Sequence, residues 1–251
     1  MHNHISVGAV LSRVFDLYKK RFSALVGLGL VVFIPSGIIY GLCLDSGSMV
    51  LGLVGGLIFW VASYYYAGAV VRVAEEESTG GGQHSVGELL SSVTPVLLPL
   101  IGVSIVAGIA IGIGFLLIIL PGIFLLVAWS VFVPAIVVEN KGFGALGRSW
   151  ELVKGNFWQV LGVFVVVMIL EFVAYFILGL IFGAIGGFIG FALLMIVLGV
   201  LFMPVSGLTQ ALVFFTLRDA HGGAAPAAPA APAAPAPPAG DAPQPPPAPE
   251  V

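Results

Sequence analysis

The sequence predicts an all-α membrane protein: a polytopic helical bundle of six transmembrane helices in three hairpins, each preceded by an amphipathic interfacial helix. Two observations predict this class. Hydrophobic residues make up 59% of the 251 residues and charged residues only 8%, whereas a soluble domain carries about 25% charged residues. The ionisable residues are also clustered, so that three long apolar runs separate them. About 20 apolar residues cross a bilayer as a helix, so each run is long enough for two spans.

The three apolar runs are almost free of ionisable side chains. No Asp, Glu, Lys, Arg or His lies between Glu88 and Glu139, only Asp45 interrupts the first run, and only Glu171 interrupts the third. A polar turn after Asp45, the Pro121-Gly122 pair and a Gly-rich turn divide the runs. The predicted spans are 23–43, 49–73, 96–118, 122–138, 157–181 and 188–215.

The basic residues predict the orientation in the membrane. Eight of the nine Lys and Arg precede the first span or follow an even-numbered span, and Arg72 ends the second span. Six spans therefore place every one of them on the same side. Short loops rich in Lys and Arg stay in the cytoplasm. We therefore expect a multi-pass protein of the bacterial cytoplasmic membrane with both termini in the cytoplasm.

Short similar segments precede each predicted hairpin. SVGAVLSRV at 6–14 and SVGELLSSV at 85–93 share six of nine residues, and GFGALGRSW at 142–150 follows the pattern more loosely. Self-similarity of this kind indicates a repeated structural unit. Chance recurrence in a chain rich in Val, Leu and Gly is the alternative. The predicted six-span domain is 1–219, with units 5–74, 85–139 and 141–219, and 220–251 is predicted to be a disordered, Ala/Pro-rich cytoplasmic tail.

The segments before the hairpins read as amphipathic helices. Val7, Val10, Leu11 and Val14 form one apolar stripe at helical spacing, and bases flank the stripes in the first and third units. Such helices lie in the membrane interface with their bases toward anionic headgroups. Membrane lipids are therefore the expected partners, a protein partner or homo-oligomer is compatible, and no nucleic acid is expected. The candidate lipid contacts are Arg13, Lys19, Lys20, Arg21, Lys141, Arg148, Lys154, Trp150 and Trp158.

Glu171 is the one carboxylate predicted to lie near the middle of the membrane. An ionised carboxylate there is costly, so such residues are functional candidates by default. The functional interpretation is a proton-responsive or ion-binding site. The structural interpretation, which we favour, is a protonated Glu hydrogen-bonded to a hydroxyl, because no base and no second carboxylate accompanies it in the spans.

Five further motifs are expected to have ordinary roles. SYYY at 63–66 is predicted to form an aromatic belt near the interface rather than to line a polar cavity. AEEESTGGGQH at 74–84 is predicted to be a solvated loop rather than a metal site. The Gly52/Gly56, Gly108/Gly112 and Gly183/Gly187 pairs have the spacing that allows close helix packing.

A family resemblance rests on about 40 residues. They comprise Pro121-Gly122 entering a span, Pro134 and Glu139 near its end, and Ala-Leu-x-x-Ser-Trp-x-Leu-x-x-x-x-Phe-Trp from 145 to 158. The chain resembles the membrane domain of some bacterial glycerophosphoryl diester phosphodiesterases and related six-span bacterial proteins. The resemblance implies architecture only, because the chemistry of those enzymes lies in a separate soluble barrel. Fold-level analogy does not transfer function.

The sequence offers no nucleophile with a base, no metal cluster and no cofactor motif. We therefore expect a non-enzymatic membrane protein without a cofactor, which organises or supports lipids or partner proteins. The alternative is a small transporter or channel with Glu171 as an intramembrane proton- or ion-responsive residue. Transporter repeats are usually paired and inverted, whereas the three units here run in the same direction.

Overall fold

The predicted spans are helices in the structure, a computed structural model that describes residues 6–82 and 84–222. All regular secondary structure in these residues is helical, and six helical segments are long and apolar enough to cross a membrane. The helices are α1 (Val7–Lys20), α2 (Phe22–Asp45), α3 (Met49–Thr79), α4 (Val86–Val93), α5 (Leu97–Leu117), α6 (Ile119–Ala128), α7 (Phe132–Val137), α8 (Ala145–Val153), α9 (Phe157–Gly183), α10 (Gly187–Leu201) and α11 (Met203–Ala220).

The predicted order of three hairpins, each after a short helix, is confirmed. The first unit is α1 followed by α2 and α3. In the second, α4 precedes α5 and a fourth span built from α6 and α7. In the third, α8 precedes α9 and a sixth span built from α10 and α11. The expected tail falls almost entirely on 223–251, which lies outside the described residues.

Side-chain caps begin the first two amphipathic helices. The Ser6 hydroxyl accepts a hydrogen bond from the backbone N–H of Ala9 at the start of α1. At α4, Ser85 and Glu88 form the predicted capping box, in which each side chain accepts from the other residue's backbone N–H. The apolar faces of α1, α4 and α8 do not face lipid. They are buried in the protein core, through Val14, Val93 and equivalent residues.

The break between the third and fourth spans lies at Ile118, three residues before the predicted Pro121-Gly122 break. Ile118 is extended, and Pro121 is the third residue of α6. A proline in the first helical turn costs little, because the backbone N–H groups there have no partner within the helix. Gly122 instead permits close packing, since a Cβ atom there would lie 2.6 Å from Cδ1 of Phe115.

The fourth span is interrupted after Ala128, and Ser149 of α8 supplies hydrogen bonds at this interruption. The Ser149 hydroxyl accepts from the backbone N–H of Val131 at 3.2 Å and donates to the carbonyl of Ala128 at 2.8 Å. Ser149 is fully buried. Unpaired backbone groups are costly at membrane depth. The Ser149 hydroxyl therefore stabilises the interrupted helix and joins it to α8.

We expect Ser149→Ala to lower the free energy of unfolding by about 1–3 kcal/mol, because it leaves the buried N–H of Val131 without an acceptor. Denaturant titration of the purified protein in detergent, followed by circular dichroism, measures the change. The control is Ser91→Ala, which removes an exposed hydroxyl that bonds only within its own helix. Equal effects of the two substitutions would contradict the role assigned to Ser149.

The prediction that Gly108/Gly112 and Gly183/Gly187 mediate helix packing is wrong. A Cβ atom at any of these four positions would have nothing within 4 Å. The third predicted pair, Gly52/Gly56 of α3, does pack against α2, since a Cβ atom at Gly52 would lie 3.3 Å from Cδ2 of Leu44. Close packing also occurs between α2 and α10. A Cβ atom at Gly199 would lie 2.7 Å from Cδ1 of Phe33. The spacing of glycines in one helix does not reveal which face of that helix a second helix covers. The position of the second helix therefore determines which glycines permit close packing.

Packing differs between the two ends of the bundle. The end where α2 begins and α3, α7 and α11 finish carries all nine Lys and Arg, and we call it the charged end. Helices are closely packed there: every residue from Val131 to Val137 is buried. Towards the opposite end, apolar side chains such as Leu116 (85% exposed) and Phe172 (68%) project outward. The helices are therefore held together mainly at the charged end.

Candidate functional site

A cavity of about 510 Å³ lies between α2, α3, α7 and α11. Aromatic side chains form much of its wall, and hydroxyl and amide groups are set among them. On α3 the lining extends from Gly56 to Ala67, a length of about 16 Å along the helix axis. The aromatic residues are Tyr40, Phe59, Trp60, Tyr64 and Tyr66, and the polar ones include Ser63, Ser206 and Gln210.

Ser63, Tyr64 and Tyr66 of the SYYY segment line this cavity, so the prediction of an aromatic belt is wrong. Tyr66 is almost fully buried, and its hydroxyl donates to the carbonyl of Leu25 at 3.2 Å. Tyr65 points to the other side of α3 and donates to the carbonyl of Leu90. Ser63 and Tyr64 face the cavity. The helix turn of 3.6 residues distributes these adjacent residues around α3, which a linear segment does not reveal.

Three polar groups in the cavity wall have no hydrogen-bond partner among the described residues: the hydroxyls of Tyr40 and Tyr64 and the amide of Gln210. The Tyr40 ring packs edge-on against Phe191, and Tyr64 packs against Trp60. The rings are therefore positioned while their hydroxyls remain available. No Asp, Glu, Lys, Arg or His is among the lining residues.

Glu171 lies beside the cavity and is bonded to one of its lining residues. The Ser206 hydroxyl of α11 donates to the Oε1 atom of Glu171 on α9. Glu171 is half-buried, and no ion pair of its carboxylate occurs among the described residues. A hydroxyl partner for this Glu is the arrangement that the structural interpretation predicts. Ser206 also lines the cavity, so the alternative interpretation of Glu171 as a proton-responsive or ion-binding residue can be tested at this position.

The first part of the predicted solvated loop at 74–84 is instead the end of α3, since residues 74–79 are helical, and its glutamates are ion-paired. Its three glutamates lie near the end of α3, and each has a cation. Glu76 is buried and binds the Arg21 guanidinium on one side and Nδ1 of His84, at 2.6 Å, on the other. Both side chains of the Arg21–Glu76 pair are more than nine-tenths buried. The outer two pairs are Glu75 with Arg72 and Glu77 with Lys20.

A second ion pair joins α8 to the end of the fourth span. The Arg148 guanidinium donates two hydrogen bonds to Glu139, from Nε at 2.9 Å and from Nη2 at 3.0 Å. Bidentate geometry of this kind is stronger than a single contact. The Glu139 carboxylate accepts these bonds and raises the pKa of Arg148 above its usual value. Glu139 and Arg148 therefore fix the connector between the spans.

The candidate lipid contacts divide into two groups. Arg21 is buried against Glu76, and the head groups of Lys20 and Arg148 are engaged by carboxylates of the same chain. This contradicts the expectation for Arg21, because its guanidinium is 5% exposed and out of reach of lipid headgroups. Lys20 is nevertheless exposed, at 64%. The exposed residues without an ion pair among the described residues are Arg13, Lys19, Lys141, Lys154, Trp150 (37% exposed) and Trp158 (76%).

Arg218 is a buried residue that sequence reasoning did not single out. Its guanidinium lies over the rings of Phe214 and Phe215, at 5.7 Å and 5.0 Å from their centroids. Neither Nε nor Nη1 has a hydrogen-bond partner among the described residues. The only signal in the sequence is an arginine that follows two phenylalanines at helical spacing.

Comparisons with known proteins leave the chain without an assigned relative: no family model, no curated protein and no solved structure matches it. Within residues 6–82 and 84–222, no three His, Cys, Asp or Glu side chains come together in a way that could hold a metal ion. The cavity with the Glu171–Ser206 pair, and the ion-paired charged end, are therefore the features from which a function can be argued.

Proposed function

We propose that this chain is a non-enzymatic integral membrane protein that organises or supports lipids or partner proteins in the bacterial cytoplasmic membrane. The observation that carries the proposal is the large apolar surface that its spans present beyond the charged end. In the most apolar window of α3, only 11% of the residues are buried, and in that of α9 only 22%. A surface of this extent within a bilayer is covered by lipid or by another membrane protein.

The charged end supports an orientation with both termini in the cytoplasm and a preference for anionic lipids. Lys and Arg concentrate at that end, which favours the cytoplasmic side. Four exposed bases, Arg13, Lys19, Lys141 and Lys154, have no ion pair among the described residues. Bases near a membrane surface attract anionic headgroups. We also propose the relationship to phosphodiesterase membrane domains, with no catalytic activity implied.

Lipid analysis of the extracted protein tests this function. The protein is extracted into polymer-bounded nanodiscs without detergent, and its lipids are compared with those of the whole membrane. We expect enrichment of anionic lipids, which falls when Arg13, Lys19, Lys141 and Lys154 are all replaced by Gln. The control replaces Lys20 and Glu77 together by Gln, which removes an internal pair. A lipid composition identical to the bulk membrane, with no co-extracted protein, would contradict the proposal.

A small transporter is the second candidate, because the Glu171–Ser206 pair lies beside the cavity. Carboxylates at such positions carry protons or ions in transporters. Glu171→Gln keeps the shape and the hydrogen bond but cannot ionise. If the transporter hypothesis holds, this variant fails to restore the solute or pH phenotypes of a deletion strain. Complete restoration of every such phenotype would exclude a proton-coupled role for Glu171.

A further inference from the structure

The cavity lies within the membrane-spanning part of the bundle. All of its lining residues belong to the transmembrane segments α2, α3, α7 and α11. The cavity is partly open, and the half-exposed Phe59 and Trp60 in its wall follow Leu57 and Ile58, which project outward on α3. A molecule that enters by this route comes from the bilayer. Its occupant is therefore soluble in the membrane.

The chemistry of the wall selects against a charged occupant. No Asp, Glu, Lys, Arg or His lines the cavity, and the nearby Glu171 carboxylate already accepts the Ser206 hydroxyl. Burying a charge without a partner is costly. A head group that enters the cavity is therefore uncharged.

Polar groups of the cavity wall that lack a hydrogen-bond partner indicate which polar atoms a ligand would carry. The hydroxyls of Tyr40 and Tyr64 and the amide of Gln210 line the cavity without partners among the described residues. Polar groups at such depth are normally hydrogen-bonded. Gly56 faces Tyr40 closely, since a Cβ atom there would lie 3.5 Å from the Tyr40 hydroxyl. Hydroxyl or ester oxygens of a ligand would complete these bonds.

We infer that the cavity binds one single-chain neutral lipid, with its apolar chain against the aromatic wall and its hydroxyl or ester oxygens bonded to Tyr40, Tyr64 or Gln210. The volume of about 510 Å³ lies within the range of pockets that hold one small molecule, about 300–1,000 Å³. This inference deepens the proposed function and rests on it, because it names a lipid that the protein would hold rather than merely contact.

Trp60 provides a direct readout, because it lines the cavity and bromine atoms quench tryptophan on contact. The other three tryptophans, Trp129, Trp150 and Trp158, are replaced by Phe in the full chain. This protein is placed in phosphatidylcholine nanodiscs, and brominated monoacylglycerol is added. We expect saturable quenching of Trp60 that unbrominated monoacylglycerol reverses. Quenching that rises linearly with probe and is not reversed would reflect contact with bulk lipid and overturn the inference.

Matched variants identify the site. Gly56→Leu fills the space beside Tyr40, and we expect it to weaken binding by about tenfold or more. Gly108→Leu is the control, because a Cβ atom there meets nothing within 4 Å and the residue does not line the cavity. Thermal unfolding confirms that both variants fold. Equal affinity of the two variants would place the probe elsewhere and overturn the inference.

A charged analogue tests the head-group class. Brominated lysophosphatidic acid has the same chain and glycerol as the neutral probe but adds a phosphate. We expect it to bind about tenfold more weakly or worse, and equal binding would overturn the neutral-lipid assignment. Failure here is distinguishable from failure of the proposed function. The enrichment of anionic lipids by the exposed bases is measured separately and does not depend on the cavity.

Discussion

Replacing Glu76 with Ala is expected to lower the free energy of unfolding by about 3–5 kcal/mol, the largest effect that we predict for a single substitution. The Arg21 guanidinium is 5% exposed and faces the Glu76 carboxylate, which is 9% exposed. Removing the carboxylate leaves a buried cation without its counter-ion. The Nε atom of Arg21 already lacks a partner among the described residues, so the local hydrogen bonding cannot readily compensate.

Glu77→Ala is the matched control. Glu77 follows Glu76 on the same helix and pairs with Lys20, whose side chain is 64% exposed. An exposed pair of this kind contributes about 0–1 kcal/mol. Denaturant titration in detergent at constant pH compares the two variants. Losses of equal size would contradict the account of a buried pair at the charged end.

A double substitution separates the pair from its packing. Arg21→Met with Glu76→Leu removes both charges and retains apolar volume, and buried ion pairs replaced in this way often lose no stability. We expect the double variant to recover most of the loss that Glu76→Ala causes. Continued instability of the double variant would indicate that the two side chains stabilise the fold through contacts other than their mutual charge.

Gly199→Ala is expected to cost about 1–3 kcal/mol through overpacking. Its Cβ atom would lie 2.7 Å from Cδ1 of Phe33. The Phe33 ring is fully buried and packs against Tyr66, with ring centroids 4.9 Å apart, so it has little room to move. The substitution is therefore expected to push α2 and α10 apart where they are closely packed.

Gly108→Ala is the control for Gly199→Ala and is expected to change stability in the opposite direction. A Cβ atom at Gly108 meets nothing within 4 Å. Alanine in an open helical position stabilises by about 0.4–1 kcal/mol relative to glycine. Thermal unfolding of both variants in the same detergent measures the difference. A loss at Gly108 as large as that at Gly199 would indicate that an unobserved partner covers α5.

The fold was predictable because hydropathy and charge are local properties of the sequence. A helix in lipid must satisfy its own backbone and present apolar side chains, so apolar runs and turns define the six spans directly. The Ser85–Glu88 capping box was predictable for a similar reason, since its two residues are three apart on one helix turn. These features depend on neighbours in the chain.

The tertiary contacts were not predictable in the same way. Arg21 lies between α1 and α2, and Glu76 lies on α3, 55 positions further along the chain. Composition and spacing therefore placed Arg21 among lipid contacts and Glu76 in a loop. Ser149 was recognised only as part of a motif, and its bond to the broken fourth span required the fold. Tyr64 and Tyr66 form part of a cavity only because α7 and α11 complete it.

Glu171 was predictable in part: its unusual position was visible in the sequence, but its tertiary contact was not. Its isolation in an apolar run indicated a special position, and a hydroxyl partner was expected on general grounds. Neither the identity of that partner, Ser206, nor its place in a cavity wall could be read from the sequence. The carboxylate and its partner lie on different spans, 35 positions apart.

Cysteine labelling in intact cells tests the central claim most directly, namely that six spans leave every Lys and Arg on the inner side of the membrane. The single native cysteine, Cys43, is first replaced by Ala. A cysteine is then placed at the exposed Ser46, in the turn between α2 and α3, or at the exposed Lys154, beyond α8. We predict that a membrane-impermeant thiol reagent labels the Ser46→Cys protein at once and the Lys154→Cys protein only after lysis. Labelling of Lys154→Cys from outside, with Ser46→Cys protected, would contradict the account.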